Sequence, residues 1–107
     1  MDEKLNYDWD EYDDGRIGLI FTPPWIQAFV QAGYYGDGND WARLLQYFLP
    51  RVAPDALEGT EFDPESDMFV AINRNPLALQ KMVAVIESLL ADEASLKVVL
   101  RSMQNGI

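Results

Sequence analysis

The sequence predicts an α+β domain: one antiparallel sheet of about four strands, built from two hairpins, with about four helices packed mainly on one of its faces. Three observations predict it. Apolar residues alternate on both sides of Asp13-Asp14-Gly15, and more briefly around Asp63-Pro64-Glu65-Ser66. In the segments that follow each hairpin, apolar residues recur at helical spacing instead. Prolines and glycines mark the boundaries between the two patterns. The order is hairpin, two helices, hairpin, two helices, an arrangement that suits an antiparallel sheet covered on one side.

Residues 5–21 read as the first hairpin. Leu5, Tyr7 and Trp9 alternate with Asn6, Asp8 and Asp10, and Ile17, Leu19 and Phe21 alternate with Gly18 and Ile20. Loop length decides the register. A two-residue loop sets Trp9 opposite Ile20 and Asp10 opposite Leu19, which mixes the faces. A three-residue loop, with Gly15 left-handed as a bulge, sets Trp9 opposite Leu19 and Tyr7 opposite Phe21. The second choice gives one buried face. It sends Asp8, Asp10 and Tyr12 to the wetter face and puts Asp13 and Asp14 at the tip.

Pro23-Pro24 ends the strand and is expected to open a short helix carrying Trp25, Ile26, Phe29 and Val30, capped by Gly33. A glycine-rich aromatic loop follows, and Asn39 or Asp40 is the expected cap of a second helix. Its stripe is Trp41, Leu44, Leu45, Phe48 and Leu49, with Pro50 and Pro54 closing it. Residues 59–72 form the second hairpin, turning at residues 63–66 with Pro64 in the second position of a type I turn. Asn75-Pro76 caps and starts a long helix with Leu79, Met82, Val83, Ile86, Leu89 and Leu90 inward. Asp92 caps the last helix, which buries Leu96, Val99, Leu100 and Met103.

At 107 residues the chain has the size of one domain, taken as 1–107. Surface scaling lets a chain of this mass bury about 65% of its unfolded surface, and a composition 49% hydrophobic supplies the core. Cysteine and histidine are both absent. Disulfides, thiol nucleophiles, zinc and haem sites and Ser-His-Asp triads are therefore excluded. The N-terminal Met1-Asp2-Glu3-Lys4 has no signal-peptide character and no stretch is apolar enough to span a bilayer, so a cytoplasmic location is expected.

No other chemistry fits the acids and glycines. A calcium loop starting at Asp37 would need an oxygen ligand, glycine and glutamate where Trp41, Ala42 and Phe48 stand. Gly36 and Gly38 follow no strand and lead to no GK[ST], so they make no phosphate-binding loop. The many carboxylates show no sign of a glycosidase cleft. The chain is expected to be no enzyme, with no cofactor and no metal.

The net charge of −10 argues against nucleic acid and anionic membranes as partners and for a basic protein. The excess is local. Residues 1–15 hold seven acids against Lys4, residues 37–67 hold eight against Arg43 and Arg51, and residues 68–107 hold three acids against four bases. Trp9, Trp25, Trp41, Phe29 and Phe48 fall on apolar stripes and are assigned to the core. Tyr12, Tyr34, Tyr35 and Tyr47 lie off the stripes or in loops, and exposed tyrosine beside acids is a common make-up of protein-binding surfaces. The expected partner-binding residues are Asp8, Asp10, Tyr12, Asp13, Asp14, Tyr34, Tyr35 and Asp37.

Residues 34–41 (YYGDGNDW) and, twenty residues on, 61–69 (EFDPESDMF) resemble immunity protein family 51 of bacterial polymorphic toxin and contact-dependent inhibition systems. Members show G-Y-x-G-N-G-x-D-W, then F-D-P-E-A-G-M-F, then two helices, with an acidic Y-D-D-G turn near the start. Tyr12-Asp13-Asp14-Gly15 matches that turn, and the similarity spans residues 7–103. Asp37 stands where asparagine is usual and Ser66-Asp67 replaces alanine-glycine. The resemblance implies a cytoplasmic antitoxin that binds and blocks a cognate toxin domain. Many such toxins are nucleases with basic clefts, which an acidic, tyrosine-bearing surface would complement. The alternative reading is an acidic adaptor module with no toxin partner.

Overall fold

A computed structural model describes residues 6–105. Strands β1 (Asp8–Glu11), β2 (Ile17–Phe21), β3 (Glu61–Phe62) and β4 (Phe69–Asn73) form one antiparallel sheet in the order β1-β2-β4-β3. The helices are α1 (Gln27–Gln31), α2 (Gly38–Val52), α3 (Pro54–Leu57), α4 (Pro76–Ala91) and α5 (Glu93–Gln104). The two hairpins meet through β2 and β4, which leaves β1 and β3 as the edges.

The first hairpin takes the three-residue-loop register. Trp9 lies opposite Leu19 and Asp10 opposite Gly18. The Tyr12 N–H donates to the Arg16 carbonyl (2.9 Å), the Gly15 N–H donates to the Tyr12 carbonyl (3.1 Å), and Gly15 has φ +89°. That left-handed bulge is strained for any residue with a Cβ. The Tyr7 ring meets Phe21 edge-on at 5.8 Å, on the face expected for it. Leu5 lies outside the described residues.

One face of the sheet carries Leu19, Phe21, Phe69 and Ala71, all fully or nearly fully buried. Phe21 stacks on Phe69 at 4.8 Å and meets Trp41 edge-on at 6.0 Å, so the sheet is joined to α2 through aromatic contacts. The stripes read for the three long helices face this layer. Trp41, Leu44, Leu45 and Leu49 of α2, Leu79, Met82, Ile86 and Leu89 of α4, and Leu96, Val99 and Leu100 of α5 are buried. Asn75 caps α4 by accepting from the Leu77 N–H (3.0 Å), and Asp92 caps α5 by accepting from the Ser95 N–H (3.3 Å).

Several expectations are corrected. Helix α1 starts at Gln27, with Ile26 extended as its N-cap, and not at Pro23-Pro24; a proline holds the residue before it out of the helical region. Trp25 and Val30 are exposed rather than core. Pro50 does not close α2, which continues to Val52. Pro50 lies on the solvent side of the last turn, where the carbonyl it leaves unbonded can meet water. Helix α3, led by Pro54, adds a fifth helix to the four expected. The second hairpin turns at residues 65–68, two residues beyond the expected place. The Asp63 N–H still donates to the Val70 carbonyl (3.0 Å), and Glu65 and Met68 exchange both backbone bonds (2.8 and 3.2 Å). Strand pairing thus carries past Pro64 and leaves Ser66-Asp67 to turn.

Candidate functional site

The eight residues singled out by sequence divide into two groups. Asp8, Asp10, Tyr12, Asp13 and Asp14 belong to the first hairpin. Asp8 and Asp10 lie opposite Ile20 and Gly18, on the face of the sheet away from the helices, and both are exposed. Tyr12 lies over Gly18. A Cβ placed on that glycine would sit 3.0 Å from the tyrosine hydroxyl, so Gly18 is where the ring is received. The Arg16 guanidinium lies 5.2 Å from the centre of the Tyr12 ring, a cation–π contact.

Arg16 also decides which hairpin acids are free. Its backbone N–H donates to Asp14 Oδ1 (3.1 Å) and its Nε to Asp14 Oδ2 (2.8 Å). Its Nη1 lies 3.8 Å from Glu61 Oε1, and Arg74 donates to the Asp14 carbonyl. The Asp14 carboxyl is held below the ordinary aspartate value, chiefly by the hydrogen bond from the Arg16 backbone, with the side-chain bond and the charges of Arg16 and Arg74 adding to it. Among the described residues no cation pairs with Asp8, Asp10, Glu11 or Asp13.

Tyr34, Tyr35 and Asp37 lie in the loop before α2. Asp37, not Asn39 or Asp40, is the N-cap, its Oδ1 accepting from the Asp40 N–H (2.9 Å). Asp40 is buried and turns back on the loop, where its Oδ2 accepts from the N–H groups of Tyr35 (2.9 Å) and Gly36 (2.8 Å). Tyr34 is half-buried, edge-on to Phe29 at 6.4 Å. Tyr35 is 88% exposed. With Arg43, Gln46 and Phe62, the two tyrosines line an open groove of about 620 Å³.

The structure does not bring the two groups together. Asp14 sits at the end of β4, against Arg74. The loop sits at its beginning, where the Gly38 N–H donates to the Ser66 carbonyl (3.2 Å). Gly38 is there because nothing larger fits: a Cβ would collide with the carbonyl oxygens of Glu65 and Met68 and come within 2.6 Å of the Met68 carbonyl carbon.

A family model described as Immunity protein 51 matches residues 5–105. The chain belongs to that family. No curated protein and no solved structure matches it. Membership supports an immunity-protein role. It also explains the two stretches that carry the resemblance. In this family member they form one structural joint: Asp37 caps α2, Gly38 rests on the 65–68 turn, and Trp41 and Phe69 pack around Phe21. These contacts are part of the scaffold.

Sequence reasoning missed Trp9. It faces the helical side by alternation, yet it is 46% exposed. β1 is an edge strand whose extensive contacts are with β2 alone, so Trp9 lacks the strand on its outer side that helps enclose Leu19. The available signal was the acids on either side of it, since charge is how proteins blunt an exposed edge. Among the described residues no three acidic side chains are placed to hold a metal ion, and no helix is long and apolar enough to cross a membrane.

Proposed function

We propose that this immunity-family chain is a cytoplasmic, stoichiometric antitoxin. It binds the toxin domain it is paired with and blocks it by occupying a basic surface, in a nuclease-type toxin, with its acidic β1–β2 hairpin. One observation carries the reading. Residues 8–14 hold five acids and no base, all four residues of β1 are exposed, and only Asp14 of those acids has an internal cation. A concentrated field of one sign raises the rate of encounter with an opposite surface, and the exposed Trp9 and half-buried Tyr12 supply the contact area that slows release. The 34–40 loop lies at the other end of the sheet, and its acids are used in capping and loop closure. The reading therefore narrows from all eight residues to the hairpin.

The test pairs a growth assay with kinetics. The probe is the cognate toxin domain, to be sought at the C-terminus of a secreted protein encoded beside this chain, used in active form for growth and in inactivated form for binding. Co-expression of the wild type should restore growth. The association rate should fall steeply with salt and drop about tenfold in an Asp8→Lys, Asp10→Lys, Asp13→Lys variant. Salt-independent association together with full protection by that variant would refute the acidic hairpin as the interface.

A further inference from the structure

The hydrogen-bonding direction of every strand can be fixed from the two outer ends of the sheet. The Asp63 N–H bonds to the Val70 carbonyl, so Val70 points its backbone groups toward β3. By alternation Phe69, Ala71 and Asn73 point theirs at β2, Gly18 and Ile20 point theirs at β1, and Asp8 and Asp10 answer them. The Tyr12 N–H bond to Arg16 gives the same phase independently. Trp9 and Glu11 are left with N–H and C=O groups directed out of the sheet, and among the described residues nothing bonds to them. The other edge differs. β3 is two residues long, and by the same alternation only Phe62 presents its backbone outward.

We infer that the outer edge of β1 is a docking edge, and that an extended, basic strand of the toxin adds to the sheet beside it. The inference rests on the antitoxin reading and names its mode of contact. Charge selects the occupant. A second copy of β1 laid antiparallel would oppose acids with acids, which destabilises a strand pair. A strand with Lys or Arg at alternate positions would meet Asp8 and Asp10 on the open face, and an apolar residue between them would cover Trp9. Backbone bonds at Trp9 and Glu11 would supply affinity and the side chains register.

The experiment uses the full chain and the same toxin domain in inactivated form. Residue-resolved hydrogen exchange should show the Trp9 and Glu11 amides exchanging fast in the free protein and protected in the complex, while Asp10 and Tyr12 are protected in both. Glu11→Pro removes one outward N–H without touching the ladder to β2, a place where an edge strand tolerates proline. Binding should weaken at least about tenfold, against about threefold or less for Glu11→Gln. If the wild type does not bind the domain, the antitoxin reading fails and the strand pairing with it. Suppose instead it binds and protects cells while the Trp9 and Glu11 amides stay unprotected. The edge pairing then falls and the antitoxin reading stands. Protection of those amides in the free protein, with a dimer mass, would give the edge to a second copy and overturn the inference.

Discussion

The first hairpin and the 34–40 loop are written in the same letters, tyrosine, aspartate and glycine, and the fold uses them in opposite ways. In the loop the acids are consumed: Asp37 caps α2 and Asp40 is buried against two backbone N–H groups. In the hairpin Asp8, Asp10 and Asp13 are exposed, and no cation pairs with them among the described residues. The difference follows from what each segment must satisfy. A loop entering a helix has unbonded N–H groups that a carboxylate can take. A strand on a sheet edge bonds its inner amides to its neighbour and leaves its side chains to solvent. Acidic residues thus stay free of internal partners only where the backbone has no use for them.

The comparison breaks first at its tryptophans. Trp41→Ala should cost about 3–5 kcal/mol, because it empties a fully buried site between Phe21 and Phe29. Trp9→Ala should change stability by less than about 1 kcal/mol and weaken toxin binding instead. Chemical denaturation of the pair decides it, and equal losses would mean that the hairpin is as much core as the start of α2, which the loop leads into. Gly38→Ala belongs with Trp41, at about 3 kcal/mol, since the backbone of the 65–68 turn would have to move.

The next test concerns the acids. Asp40→Ala strips the partner from the Tyr35 and Gly36 amides and should cost about 2–3 kcal/mol. Asp8→Ala should stay within about 0.5 kcal/mol. For association the order reverses. Charge reversal at Asp10 or Asp13 should slow encounter with the toxin domain several-fold, on the order of 1 kcal/mol. Tyr35→Ala, at the far end of the sheet, should leave the rate unchanged. A slow Tyr35 variant would restore the loop to the interface.

Much of this was legible in the sequence. The hairpin register followed from keeping Trp9, Leu19, Tyr7 and Phe21 on one face, and the α2, α4 and α5 stripes followed from their spacing. Asn75 and Asp92 are recognisable as caps because each precedes an apolar helical stripe. The rest depended on tertiary context. Trp9 and Leu19 share a face and differ in burial because one strand is an edge, and strand order is not written in alternation. The cap of α2 moved from Asn39 or Asp40 to Asp37 because Gly38 had to begin the helix to fit against the 65–68 turn. Of the proposed site, the hairpin acids stand out in the sequence, but their separation from Tyr34 and Tyr35 depends on how the two hairpins join.

The smallest expected effect concerns Asp14, the hairpin acid that behaves like a loop acid. Its carboxyl is shifted below the usual value of 3.8 in the folded chain, first by the Arg16 backbone N–H. A group whose folded value is depressed adds stability above its unfolded value, and that stability is lost as pH falls through the folded value. Asp14→Asn should therefore be slightly less stable than the wild type near pH 7, and the two should converge as the solution is acidified well below 3.8. Asp13→Asn, one residue away at the same tip, should keep wild-type stability near pH 7 while slowing association with the toxin. Urea titrations of the three proteins across that range test it. If the Asp14→Asn gap stayed constant down to low pH, its origin would be the shape of the turn and not the carboxylate charge. The sorting of hairpin acids into tied and free would then lose its physical basis.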